Sequence, residues 1–168
     1  DGASLGWANE TTWPSNTTPP PTFRLADFNA DGLTDAIDWH YTNSNSTTNK
    51  KLYFNKGKDG FVDSSITPPG STAYSDSYGE YGVRIADLNG DGFPDIVKSY
   101  LGGGSGGATA TEAYVNTGTA FSTGTYSLPS EVYFTSFTGD GYKDYGWRIL
   151  DINGDMMPDL VGTYYPSG

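Results

Sequence analysis

Three stretches decide the reading of this chain: FRLADFNADGLTDAI (residues 23–37), VRIADLNGDGFPDIV (83–97) and WRILDINGDMMPDLV (147–161). They superpose without a gap at offsets of 60 and 64 residues, a recurrence that chance does not supply. Each copy is a short apolar run, an acidic turn and a second apolar run, which is the pattern of two strands joined by a loop. A weaker block recurs between them. LYFNKGKDGF ends at Phe61 and AYVNTGTAF at Phe121, each followed by a proline, Pro68 and Pro129. It reads as a strand, a turn at Asn-x-Gly and a short second strand. DSYGEYGVR (76–84) likewise aligns with DGYKDYGWR (140–148).

The bulk composition agrees with an all-β protein. Gly (23 residues) and Tyr (13), with abundant Ser, Thr and Asn and few Lys or Arg, suit short strands and turns rather than amphipathic helices. At 168 residues the chain is one domain long. The repeats divide it into the tail of a split repeat (1–20), a first repeat (21–80), a second (81–144) and the head of the split repeat (145–168). TNSNSTTNKK and GGGSGGATAT are predicted as surface loops within the first and second repeats. GWANETTWP places Trp7 and Pro14 seven residues apart, as Phe61 and Pro68 are. With that alignment, joining the two ends leaves the split repeat short of the strand bearing Tyr-x-Asn-x-Gly.

The acidic loop reads D-x-N-x-D-G-x-x-D, with Met156 in place of the glycine in the third copy. Calcium takes six to eight hard oxygen ligands, and acidic or amide side chains at alternate positions of a tight loop supply them. The predicted ligands are Asp27, Asn29, Asp31, the Leu33 carbonyl and Asp35. Their counterparts are Asp87, Asn89, Asp91, Phe93 and Asp95, then Asp151, Asn153, Asp155, Met157 and Asp159. An EF-hand needs a bidentate Glu at position 12 and flanking helices, whereas position 12 is Asp38, Lys98 and Gly162. For one loop alone, a turn whose side chains bond their own backbone is an equal reading. Three copies with the same four oxygen-bearing positions favour the ion. The third site is predicted to be weakest, because position 6 favours glycine and Met156 meets a left-handed penalty there.

These three stretches resemble the FG-GAP/VCBS repeat, found in the β-propeller of integrin α-subunits and in bacterial surface and toxin-shell proteins. The resemblance implies four-stranded propeller-blade-like repeats of antiparallel strands, with Ca²⁺ held between two strands by the acidic loop. It does not fix a function.

The net charge is −11, and nine of the twenty acidic side chains lie in the three loops, so cations are the natural partners. Nucleic acid is disfavoured, and no apolar run is long enough for membrane insertion. There is no Cys, hence no disulfide or thiolate site. DGASLGWANE has neither part of a signal peptide, as expected of a processed start. The lone His40 has no nucleophile partner, and no phosphate loop or zinc motif is present, so the chain reads as non-catalytic. Arg24, Arg84 and Arg148, each three residues before a loop Asp, are read as braces of the acidic loop. Tyr53, Tyr81, Tyr114 and Tyr145 recur at equivalent positions and read as core. Trp7, Trp13 and Trp39 recur less regularly and are candidates for contacts with a glycan. Asn9, Asn16 and Asn45 head glycosylation sequons.

The resulting expectation is an extracellular or cell-surface calcium-binding scaffold or adhesion protein. Three units are too few to close a propeller, so something else must cover the edges, either another chain or, as the rival, the N-terminal segment pairing with its own C-terminal half-repeat. Head-to-tail assembly into a filament is expected, with the segment around Trp7 and Trp13 completing the third repeat of the next subunit. The alternative is a glycan-binding module.

Overall fold

A computed structural model of the chain describes residues 23–42, 47–69, 75–76, 79–102, 110–124, 126–137 and 141–162, and these are all-β apart from one 3₁₀ turn at 57–59. The first repeat contributes β1 (Phe23–Ala26), β2 (Asp35–Thr42), β3 (Thr47–Asn55) and β4 (Phe61–Asp63). These pair antiparallel in the order β1, β2, β3, β4. Two short strands follow, β5 (Ser75–Asp76) and β6 (Gly79–Glu80), and β5 joins β2 in parallel at His40. The second repeat copies this plan. β7 (Val83–Ala86), β8 (Asp95–Leu101), β9 (Ala110–Asn116) and β10 (Phe121–Thr123) form the sheet, extended by β11 (Thr135–Phe137) and β12 (Tyr142–Asp144). The third repeat has β13 (Arg148–Leu150) and β14 (Asp159–Val161), paired only with each other among the described residues. Among the described residues the strands form no closed ring.

Two sequence expectations shift here. The stretches taken as loops are partly strand, since Thr47–Lys51 belong to β3 and Ala110–Thr111 to β9. The predicted acidic turn and the Asn-x-Gly turn both fall where the sequence puts them.

The core lies between successive sheets. Because strand side chains alternate in direction, one residue of each central strand faces the preceding repeat and the next faces the following one. Ile37 and Phe28 of the first repeat meet Ile96 and Val83 of the second, together with Trp39 and Leu52, all at most 2 % exposed. Val97, Ala113, Val132 and Phe134 form the next cluster, against which Ile149 and Leu160 of the third repeat pack. Each such apolar side chain contributes roughly 1.5–3 kcal/mol on burial. β8 lies between both clusters, and Asp95 through Tyr100 are all buried.

One glycine sets the approach to this strand. Gly82 has φ 65°, and a Cβ there would lie 2.2 Å from the Ser99 carbonyl oxygen. Its carbonyl instead accepts the Ser99 amide at 3.0 Å. A side chain at this position would push β7 off β8.

Trp39 is a correction. It is 1 % exposed and part of the first core, so it is not a surface platform. Of the tyrosines expected in the core, Tyr114 packs on the first cluster and Tyr53 and Tyr81 are half-buried, whereas Tyr145 is 43 % exposed. Trp7, Trp13, Asn9, Asn16 and Asn45 lie outside the described residues, as does the split-repeat segment 1–20.

Candidate metal centre

Each acidic loop is folded by its own side chains. In the first, the Asp27 carboxylate accepts the amides of Asp31 (3.1 Å) and Gly32 (2.8 Å). Asn29 Oδ1 also accepts the Asp31 amide at 3.0 Å, and Asp31 Oδ1 accepts the Leu33 amide at 2.9 Å. The second loop repeats every one of these bonds through Asp87, Asn89 and Asp91. In the third, Asp151 accepts the amides of Gly154 and Met156, Asn153 that of Asp155, and Asp155 that of Met157. These amides, Met156 foremost, hold Asp151 below the usual carboxylate range. Short polar side chains bonding two residues ahead are what make Asp and Asn turn-formers.

Such loops need left-handed backbone at two places. Position 4 is Ala30 (φ 55°), Gly90 (75°) and Gly154 (79°), and position 6 is Gly32 (85°), Gly92 (89°) and Met156 (68°). Only the second loop has glycine at both. The cost at Met156 is legible in the motif, but that at Ala30 is not, because position 4 is unconstrained in it.

Position 9 has a different job from positions 1, 3 and 5. Asp35 is fully buried, its Oδ2 accepting the Phe28 amide (2.8 Å) and its Oδ1 the Asn55 amide (2.8 Å) at the end of β3. Asp95 does the same with Leu88 (2.9 Å) and Asn116 (2.8 Å). Burial pushes both carboxyls above the usual range, while the two amides pull the other way. Asp159 accepts the Ile152 amide at 3.1 Å, and its other oxygen has no donor among the described residues. Position 9 therefore pins the loop to the third strand of its own sheet, and among the described residues the third repeat shows no such strand. This explains why Tyr-x-Asn-x-Gly travels with the acidic loop.

The donor set in each loop is all oxygen, as a hard divalent cation requires. In the present conformers no three acidic or histidine side chains among the described residues converge closely enough to hold an ion. An Asn-to-Asp contact stands in the way in every loop: Asn29 Nδ2 donates to Asp31 Oδ2 (3.0 Å), Asn89 to Asp91 (2.8 Å) and Asn153 to Asp155 (3.0 Å). Rotation of the Asn side chain frees that oxygen at the cost of the bond its own Oδ1 accepts from the position-5 amide, while the backbone bonds to the Asp carboxylates stay in place. Lys56 lies 3.9 Å from Asp31 and supplies positive charge at the first loop. Thr117 stands at the matching place after Asn116.

The three arginines do not touch the acidic loops. Arg24 pairs with Glu80 (2.9 Å), Arg84 with Glu80 (3.2 Å) and Asp144 (3.8 Å), and Arg148 with Asp144 (2.9 Å). Each also donates to the carbonyl of the preceding residue, Phe23, Val83 or Trp147. The result is an alternating charge ladder in which Glu80 and Asp144 bridge the arginine of their own repeat and that of the repeat after. Burial depresses Arg84, and Glu80 and Asp144 oppose that shift. Glu80 and Asp144 were missed in the sequence, although both stand four residues before an arginine in the aligned segments.

Successive β-sheets, each carrying the same acidic loop between its first two strands, define a tandem β-repeat protein. Residues 27–97 match the family model described as FG-GAP-like repeat, so this part of the chain is similar to that family. The match takes in the first two loops, and the third shares their hydrogen-bond pattern. No curated protein and no solved structure matches the chain. Among the described residues no helix is long and apolar enough to cross a membrane.

Proposed function

We propose that this chain is an extracellular calcium-stabilised scaffold or adhesion module that assembles head to tail, without catalytic activity. The observation that carries this reading is the triplicate loop: oxygen ligands at positions 1, 3 and 5 are held by backbone amides in the same way three times. Asp27, Asn29, Asp31 and the Leu33 carbonyl, with their counterparts, would hold the ion. Asp35, Asp95 and Asp159 would join through their remaining lone pairs or anchor the loop from behind. A bound Ca²⁺ would offset the repulsion among three carboxylates per loop and tie the two flanking strands together.

The second loop is the strongest candidate, having glycine at both left-handed positions and no lysine beside it. Calcium titration by calorimetry tests the reading. It should give up to three sites per chain, with Asp87→Ala removing the tightest. Absence of any calcium-specific heat would refute it. The alternative glycan-binding reading has lost Trp39 to the core, and nothing in the described surface favours it.

A further inference from the structure

The third repeat offers a docking site whose shape is defined by what fills it in the other two. In the first and second repeats the third strand sets Tyr53 opposite Ala36 and Tyr114 opposite Ile96. Two residues on, the amide of Asn55 or Asn116 caps the position-9 carboxylate. In the third repeat three things are left over. Asp159 Oδ1 has no donor among the described residues. Among the described residues β14 pairs only with β13, and Val161 beside its other edge is 36 % exposed where Val97 is 1 % exposed. A cavity of about 160 Å³ lies beside Leu160, lined by Leu88, Val97, Tyr126, Leu128, Ile149 and Leu160.

The required insert is thus an extended segment reading aromatic-x-Asn. Tyr114 in the second repeat packs on the first core cluster, which is the place equivalent to this cavity. Outside the described residues the chain contains Trp7-Ala8-Asn9, which aligns with Tyr53-Phe54-Asn55 and Tyr114-Val115-Asn116. Aligning Trp7 with Phe61 by the following proline hides this match. The geometry of position 9 reveals it, because the backbone N–H two residues after the aromatic is what the loop needs, and in both complete repeats that residue is Asn.

We infer that the N-terminal segment of a second copy adds to β14 as an antiparallel strand, with Trp7 opposite Leu160 and in the cavity and the Asn9 amide on Asp159 Oδ1. Strand addition uses main-chain bonds for affinity and alternate side-chain pockets for specificity, and an aromatic anchor in an apolar pocket dominates such contacts. The donor is a second copy, in line with the head-to-tail assembly proposed above; closure by the same chain would instead leave the wild type monomeric. This inference deepens the assembly part of the proposed function and does not depend on the metal.

The test uses the full chain in sedimentation velocity, with and without chelator. Wild type should show concentration-dependent oligomers, and Asn9→Pro, which removes the donor N–H, should be monomeric with an unchanged circular dichroism spectrum. A fluorescent peptide of residues 1–14 should bind full-length Asn9→Pro protein. N-methylation of the peptide at Asn9 should weaken it about tenfold or more, and Trp7→Ala in the peptide by at least as much. A wild type that stays monomeric at all concentrations, or N-methylated and parent peptides of equal affinity, would overturn the inference. Oligomers lost in Asn9→Pro alongside a calcium-insensitive melting curve would sustain it while removing the metal reading.

Discussion

The second and third repeats carry nearly the same sequence around their loops, yet one is enclosed and the other open. Ile96 and Val97 are at most 1 % exposed, while the loop residues Ile152 and Met156 of the third repeat are 63 % and 85 % exposed. Phe28, at the place of Ile152 in the first repeat, is 1 % exposed because the following repeat covers it, with Asn116 Nδ2 donating to its carbonyl at 2.8 Å and Phe121 edge-on at 6.3 Å. Burial in this fold is therefore supplied by the neighbour. A repeat is finished only when its own third strand and the next sheet are in place.

The largest expected difference between the two regions lies at position 9. Asp95→Ala leaves the Leu88 and Asn116 amides without their acceptor, at a cost of roughly 2–4 kcal/mol. Asp159→Ala removes one bond at a half-buried site and should cost under about 1 kcal/mol. Urea unfolding in chelator checks this, and equal losses would break the comparison. Next come the left-handed positions. Met156→Gly should stabilise the apo protein by about 1 kcal/mol, and Gly92→Ala should destabilise it by a similar amount. A Cβ at Gly92 meets nothing within 4 Å, so the second effect isolates the backbone term.

The smallest effect concerns the ladder. The Arg148 hydrogen bond holds the Asp144 carboxyl below its usual range. A depressed carboxyl contributes stability that is present above the unfolded value near 3.8 and lost as pH falls through the folded value. Asp144→Asn should therefore lower stability at neutral pH, by less than about 1 kcal/mol because the pair is half-exposed, and should match wild type in strong acid. Urea midpoints from pH 7 to pH 2 would show the two curves converging. A constant gap across that range would contradict the assignment.

The strands, the acidic loops and the Asn-x-Gly turn were legible because each has its own local chemistry. What links the repeats was harder to read. Trp39 aligns with Ser99, so comparison of copies gave no hint that either is core, yet both are buried. The place recurs while the residue type does not, because volume is balanced by whatever packs from the adjoining sheet. Arg24, Arg84 and Arg148 were correctly seen as a set, but their nearness in sequence to the loop suggested the wrong partner. On β1, β7 and β13 that arginine stands off the sheet beside the carboxylates of β6 and β12 rather than beside the loop. Asp35 and Asp95 read as ligands, and only their burial and the two amides on each carboxylate reveal the pin.

The central claim is that the triplicate loops are calcium sites, and thermal unfolding of the full chain in calcium against excess chelator, at equal ionic strength, tests it most directly. With free Ca²⁺ near 100 times Kd each occupied site adds roughly 2.7 kcal/mol. The melting temperature should therefore fall by about 5 °C or more on chelation, and by less in Asp87→Ala. Superimposable curves in calcium and chelator would contradict the account.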